Sequence, residues 1–185
     1  GLTLLTGCGK STNVIEGQVK TLSTGQNSLQ TEEKQVLEKK QVQQTESSEQ
    51  YKGYIFIYDD IAIEIDAESE PIVKQLGEAN AYFEAPSCAF EGIDRMYTYN
   101  NFELDTYPVN NIDHISAIIF KDDMITTAEG VGIGDSAEKV AEIYGEDAIN
   151  ESGMVVYEKD GMKLCFIIKE DMVVSVEYRS TVLTE

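Results

Sequence analysis

The side chains best suited to nucleophilic catalysis are Cys88 and His114, the latter being the single histidine of the chain. A thiolate activated by an imidazole attacks acyl groups when a further group orients the ring. Neither residue lies in a nucleophile-elbow phrase or a metal-binding helix phrase. Because a lone histidine on a strand is typical of a surface or packed position, we expect no catalytic residue and no enzyme activity.

Carboxylates are grouped at Asp66, Glu68 and Glu70 and again at Asp122 and Asp123. Carboxylate oxygens are the ligands that calcium prefers, but the spacing of an EF-hand loop is missing from the sequence. Acidic groups of this kind are typical of a solvated surface. We therefore predict no metal site, and we keep an acidic ligand- or calcium-binding envelope protein as the alternative function.

Residues 130–134 form a glycine-rich run, Gly-Val-Gly-Ile-Gly, of the kind that can hold a phosphate. A phosphate-binding loop also needs a Lys-Ser/Thr pair, which this run lacks, and its flanks are acidic. We expect no nucleotide and no other cofactor.

Covalent chemistry of another kind is indicated at Cys8. The segment Leu5-Thr6-Gly7-Cys8 follows a short apolar stretch and resembles the lipobox of bacterial lipoprotein signals. Acyl chains contribute about 0.8 kcal/mol per buried methylene, so a doubly acylated cysteine anchors a protein to a membrane. We predict that residues 1–8 are the end of a partial signal, that Cys8 is lipidated, and that the protein lies on the extracytoplasmic face of a bacterial cell membrane. The alternative is a first strand that happens to end in Gly-Cys.

Composition changes sharply near Tyr51. Residues 9–50 are rich in Ser, Thr, Gln and Lys and contain no aromatic residue, which predicts a flexible polar tether. All the tyrosines and phenylalanines lie in residues 51–185, a length that suits one folded domain.

The charge is concentrated in that domain. Residues 51–185 carry 28 acidic and 9 basic side chains, out of a net charge of −20 for the chain. Such a field repels phosphate backbones, so we exclude nucleic acid as a partner, and it attracts basic partners or cations. Solubility is the simpler explanation of the same charge. Cys88 and Cys165 either form a disulfide or remain free thiols, and the sequence leaves both readings open.

The domain contains the same pattern twice. Apolar residues at helical spacing predict helices over 65–78 and 133–146, each ending at a glycine, Gly77 or Gly145. Asp135 is expected to begin the second helix as the first residue of a capping box. We expect repeats at about residues 61–123 and 124–185.

Alternating strands follow each helix. Hairpins are predicted to turn at Asn100-Asn101 and Asp160-Gly161, and an extra hairpin at Asp59-Asp60 precedes the first helix. We predict an α+β fold in which two tandem helix-plus-antiparallel-strand repeats form a sheet with the helices on one face, after a disordered N-terminal tether.

This tandem unit resembles the β-lactamase-inhibitor-protein-like superfamily, which includes the SmpA/OmlA-type envelope lipoproteins that also begin with a lipobox. The residues that carry the resemblance are Gly132 to Val140 and Tyr144-Gly145, within a match over roughly residues 60–180. The resemblance implies binding of other proteins on the sheet surface without catalysis. Each copy here has one cysteine, whereas the inhibitor repeats are closed by disulfides, so we do not expect inhibition of a β-lactamase.

Strand alternation divides the side chains between two faces of the sheet. The face expected to pack under the helices carries Phe102, Leu104, Met162, Leu164, Phe166, Ile168, Val174, Val176 and Tyr178. The opposite face is expected to carry Asp105, Tyr107, Ile115, Ala117, Ile119, Cys165, Ile167, Val173 and Ser175. This second face is apolar with an acidic rim, which either marks a contact surface or is covered by another part of the chain.

We therefore expect a membrane-anchored extracytoplasmic lipoprotein that binds or scaffolds a protein or peptide on the exposed sheet face. The predicted binding residues are Asp105, Tyr107, Ile115, Ile119, Ile167, Val173 and Ser175. Selectivity would come from Asp105 and affinity from the apolar residues around it.

Overall fold

The computed structural model describes residues 51–151 and 153–183. The predicted signal end, the tether and the lipidated Cys8 lie outside the described residues. Within them the chain forms ten strands and two helices of eight residues each. The fold is thus mostly β, with less helix than the predicted α+β class contains.

A small hairpin comes first along the chain. Strands β1 (Phe56–Tyr58) and β2 (Ile61–Ile63) pair antiparallel. The turn at Asp59 and Asp60 has positive φ at both residues, 46° and 65°. Two positive φ angles match the right-handed twist of the flanking strands, so the predicted turn is confirmed.

The other strands form one antiparallel sheet of eight. In chain order they are β3 (Ala81–Pro86), β4 (Ile93–Thr98), β5 (Phe102–Val109), β6 (Ile112–Phe120), β7 (Ile149–Glu151), β8 (Met154–Lys159), β9 (Met162–Lys169) and β10 (Met172–Ser180). Their order across the sheet is β3-β4-β5-β6-β10-β9-β8-β7. The last strand of each half therefore lies at the centre, and β3 and β7 are the two edges.

Both helices are shorter than predicted. Helix α1 spans Ser69–Leu76 and α2 spans Ala137–Tyr144. The cap of α2 is Ser136, whose hydroxyl accepts from the Lys139 N–H at 3.2 Å, and the predicted Asp135 lies one residue earlier. Each helix ends at its predicted glycine with positive φ, 79° at Gly77 and 92° at Gly145. A side chain with a Cβ adopts that conformation only under strain.

The hairpin and both helices pack on the same face of the large sheet. The Phe56 ring lies 5.1 Å from Phe102, 5.3 Å from Phe120 and 5.8 Å from Tyr178. Val140 of α2 is buried in the same core. The predicted core residues that are confirmed as buried are Phe102, Leu104, Met162, Leu164, Phe166, Val176 and Tyr178.

Two β-bulges change which side chains face this core. The register shifts between Val173 and Ser175 on β10, so Val173 is buried and Val174 is 42% exposed. A second shift pairs Asp105 with Ala117 but Thr106 with Ile115. The predicted faces of Ile115, Val173 and Val174 are wrong, because each bulge inserts one residue and reverses the alternation beyond it.

Both predicted hairpin turns of the large sheet are confirmed in position. Asp160-Gly161 turns between β8 and β9 with positive φ at both residues. Asn100-Asn101 turns between β4 and β5 without positive φ, and further positive-φ pairs at 110–111 and 170–171 join β5 to β6 and β9 to β10. No helix within residues 51–151 and 153–183 has the length and apolarity that crossing a bilayer requires.

Replacing Phe56 by alanine tests whether the hairpin holds the core together. Phe56 is fully buried, so F56A should lower the free energy of unfolding by about 3–5 kcal/mol in urea titrations. The matched control is Ile57→Ala on the same strand, at a side chain that is 37% exposed, which should cost under about 1 kcal/mol. Equal effects of the two substitutions would contradict this packing.

Candidate functional site

The outer face of the large sheet, which we define as the face turned away from both helices, is a mixture of polar and apolar side chains. One row of residues that lie directly opposite one another on neighbouring strands consists of Glu103, Ile119, Glu177, Cys165 and Val156. A second row joins Phe83, Met96, Asp105, Ala117, Arg179 and Lys163. The face is less apolar than the sequence predicted.

Most charges on the outer face compensate one another. The Arg179 guanidinium donates to Glu177 Oε2 at 2.6 Å, and the Ser175 hydroxyl donates to the other oxygen of Glu177 at 3.1 Å. The Lys163 ammonium contacts Glu151 at 2.8 Å and Glu158 at 3.5 Å. These contacts satisfy charges in the part of the face that β8, β9 and β10 build.

Strands β3, β4, β5 and β6 instead form a groove of about 250 Å³ in the outer face. We call it the carboxylate groove. Its apolar lining comes from Phe83, Met96 and Leu183, and its acidic lining from Asp94 and Asp105. Strand β3 contributes Phe83, β4 contributes Asp94 and Met96, and β5 contributes Asp105. Met96 pairs directly with Asp105, so a carboxylate and an apolar wall lie side by side.

Each of the two carboxyl groups of the groove has one buried oxygen without a hydrogen-bond donor. Oδ1 of Asp94 and Oδ1 of Asp105 are buried, and no group among the described residues forms a hydrogen bond with either atom. Arg95 also lines the groove, and its guanidinium is bound to Asp113 at 2.5 Å and lies 3.8 Å from Glu84. A buried carboxylate oxygen without a donor is destabilising, so the described residues leave both carboxyl groups short of a hydrogen-bond donor.

The protonation of Asp105 reflects this environment. Burial, the negative charge of Glu103 and, more weakly, that of Asp94 raise its pKa from 3.8 to about 6, although Arg179 opposes the shift. Desolvation disfavours the charged form of a carboxyl group. A strongly shifted carboxyl group in a cleft is a candidate functional residue, because functional groups often need a tuned pKa.

The structure brings only one of the predicted binding residues, Asp105, into this groove. Ile119, Ile167 and Ser175 lie on the outer face and are partly buried. Tyr107 is buried, with its hydroxyl donating to Asp66 Oδ1 at 2.8 Å. The other two predicted binding residues belong to the core and offer no surface to a partner, namely Ile115 and Val173.

Sequence reasoning missed Asp94, Met96 and Phe83 as partners of Asp105. Asp94 and Met96 are two residues apart on β4, so alternation alone puts them on one face. The predicted Asn100-Asn101 hairpin already pairs β4 with β5, so what was missing was strand β3 and its register with β4. With that register, the same alternation places both carboxylates in one groove.

The cysteine and histidine chemistry considered above is unsupported by contacts among the described residues. His114 Nδ1 lies 3.1 Å from the Ile112 carbonyl oxygen, and its ring lies 5.7 Å from that of Tyr107. Cys88 is exposed and Cys165 is buried, and both are free thiols. Burial raises the pKa of Cys165 to about 11, which keeps this thiol protonated and unreactive near neutral pH.

The glycine-rich run 130–134 uses its own backbone donors internally. The Val131 N–H donates to the Thr127 hydroxyl, the Gly132 N–H to Asp135 Oδ2 and the Gly134 N–H to the Val173 carbonyl. These donors are therefore unavailable to a phosphate group. In the described ranges, no three Asp, Glu, His or Cys side chains come together as a metal site.

Comparisons with known proteins found no match to a family model, to a curated protein or to a solved structure. The resemblance to the β-lactamase-inhibitor-protein-like superfamily stays a prediction.

Replacing Asp105 by asparagine measures how much the ionised Asp105 side chain lowers the free energy of unfolding. The raised pKa means that the folded state loses stability as the pH rises from about 4 through 6. D105N should therefore raise the free energy of unfolding by about 1–2 kcal/mol near pH 7.5 and leave it unchanged near pH 4. Urea titrations at both pH values measure the difference.

The control is Asp123→Asn, because Asp123 is exposed. That substitution should change stability by less than about 0.5 kcal/mol at either pH. If D105N behaved like D123N near pH 7.5, Asp105 would not be a destabilising carboxylate.

Proposed function

We propose that the domain is a protein- or peptide-binding module that receives a lysine or arginine side chain of its partner in the carboxylate groove. The observation that carries this proposal is the pair of uncompensated oxygens, Asp94 Oδ1 and Asp105 Oδ1, in a groove with apolar walls. The nearby guanidinium groups of Arg95 and Arg179 are bound to other carboxylates. A basic side chain of a partner would supply the hydrogen-bond donor that both carboxyl groups lack.

The chemistry of the groove favours an extended basic side chain. Phe83, Met96 and Leu183 offer apolar surface to the methylene stem, while the carboxylates accept hydrogen bonds from its charged end. Charge-assisted hydrogen bonds are about twice as strong as neutral ones. The net charge of −20 speeds the approach of a basic partner and discourages acidic ones. Ile119 and Ile167 extend the proposed contact beyond the groove.

We further propose that the two halves are copies of one helix-plus-strands unit. Strands β5 and β9 each have eight residues, β6 and β10 each have nine, and both pairs are joined by two-residue turns of positive φ. When β5 and β9 are aligned from their first residues, Asp105 occupies the same position as Cys165. The second half thus carries a buried thiol where the first carries a carboxylate, which supports a role for Asp105 beyond folding.

The proposed location is the extracytoplasmic face of a bacterial membrane. Lipidated Cys8 would hold the chain there, and residues 9–50 would separate the domain from the surface. A binding module needs no catalytic residue, so we propose no enzyme activity.

Selection from a random peptide library tests the groove. The full chain should enrich sequences that combine Lys or Arg with apolar residues, and the D94N/D105N double variant should bind the enriched peptides about tenfold more weakly. Affinity for the unmodified chain should also fall as the pH drops below about 6, because Asp105 then gains a proton.

The matched control is Asp123→Asn with Asp147→Asn, which removes the same charge from exposed positions. This control should keep most of the affinity. Equal binding by the two double variants would exclude the groove as the site. An Ile119→Asp, Ile167→Asp variant then measures how far the contact extends across the outer face.

Lipidation is tested by growth of a bacterial expression host with labelled palmitate. Cys8 should carry the label when a complete signal precedes Gly1, and Cys8→Ser should abolish it and release the protein from membranes. Cys88→Ser should leave labelling unchanged. Equal labelling of C8S and the parent chain would overturn the anchor.

A further inference from the structure

Strand β3 is an edge strand with little protection against pairing. It pairs with β4 over six consecutive residues without a register shift, and no described strand pairs with its other side. Edge strands are usually shielded by charged side chains, above all lysine, by proline, by bulges or by short length. Strand β3 contains no lysine and its proline is the final residue, while its charged residue Glu84 accepts from the Tyr82 hydroxyl and lies 3.8 Å from Arg95. Tyr82 and Phe83 are 51% and 62% exposed.

The opposite edge of the sheet offers a contrast. Strand β7 has three residues, and Glu151 at its end pairs with Lys163 at 2.8 Å. A short strand is one of the ordinary devices that blunt an edge. Of the two edges of the eight-stranded sheet in the described residues, the β3 edge is thus the one long enough to template another strand.

The β3 edge adjoins the carboxylate groove. Ala85 pairs directly with Asp94, and Phe83 pairs with Met96 on the same face. A strand added beside β3 would lie about 4.8 Å from it and about twice that distance from β4. Because Ala85 has a side chain of one methyl group, a long basic side chain on the added strand can pass over it to reach Asp94.

Charge decides between two possible occupants of this edge. A second copy of the chain carries the same net charge of −20, so pairing of β3 with β3 brings like charges together. A basic segment gains attraction from the same field. We infer that β3 receives an extended basic segment of a partner protein by strand addition, with one Lys or Arg crossing Ala85 to Asp94. The inference rests on the proposed function, because it uses the same groove.

The test uses a fluorescent peptide of about ten residues in which valine and arginine alternate, with both ends capped. In an extended strand, alternate residues turn their N–H groups to the same side. One version is N-methylated at every valine and another at every arginine. Strand addition predicts that one of these versions binds the full chain at least about tenfold more weakly by fluorescence anisotropy, while the other is little affected.

Variants of the chain separate this inference from the proposed function. Ala85→Leu, which blocks the path to Asp94, should weaken the arginine peptide about tenfold, whereas Ile149→Leu on β7 should not. If both methylated peptides bound alike, or the parent peptide failed to bind below about 1 mM, strand addition would be overturned. Binding that ignored methylation but required Asp94 and Asp105 would reject the strand and keep the groove. Dimers of the free chain in sedimentation would favour a second copy and also reject the inference.

Discussion

The structure depends on one constraint: a single sheet has two faces, and the small elements of this domain cover only one of them. The hairpin and both eight-residue helices pack on the face that holds Phe102, Phe120 and Tyr178. Burial of that aromatic core supplies the main driving force for folding. The outer face must be compatible with water by other means, and ion pairs such as Glu177 with Arg179 meet that need over the second half of the sheet.

The carboxylate groove departs from this arrangement in a way that folding does not require. Asp94 and Asp105 gain no donor from the described residues, and Asp105 resists ionisation. At the position that corresponds to Asp105 in the proposed second copy, Cys165 is buried without that electrostatic cost. The same kind of strand is therefore built without a carboxylate. A buried carboxyl group at a position that a similar strand fills with a thiol fits the binding role proposed above.

Sequence reasoning predicted the parts of the fold that have local signals. Asp59-Asp60 and Asp160-Gly161 mark turns because these residues tolerate positive φ, and alternation marks the core side of β5 and β9. The bulges carry no such signal: Val173 and Val174 are the same residue type, so composition cannot tell which one is buried. Strand β3 was missed for a related reason. Its residues are nearly all exposed, and an edge with no buried side lacks the alternation that identifies a strand. The groove depends on that strand as well as on the β4–β5 pairing that the Asn100-Asn101 hairpin predicts, so Asp105 alone was anticipated as a site residue.

The positions of the unprotected edge and the uncompensated carboxylates are linked. Both lie at the β3 end of the sheet, whereas the β7 end has a short edge strand and paired charges. An exposed edge strand with apolar side chains beside it promotes aggregation. The carboxylate groove lowers that risk, because its negative charge repels another copy of the same chain. The same charge attracts a basic segment, so one electrostatic feature both discourages self-association and selects the partner. Removing the carboxylates should therefore weaken partner binding and increase self-association together, which links the specificity of this face to its solubility.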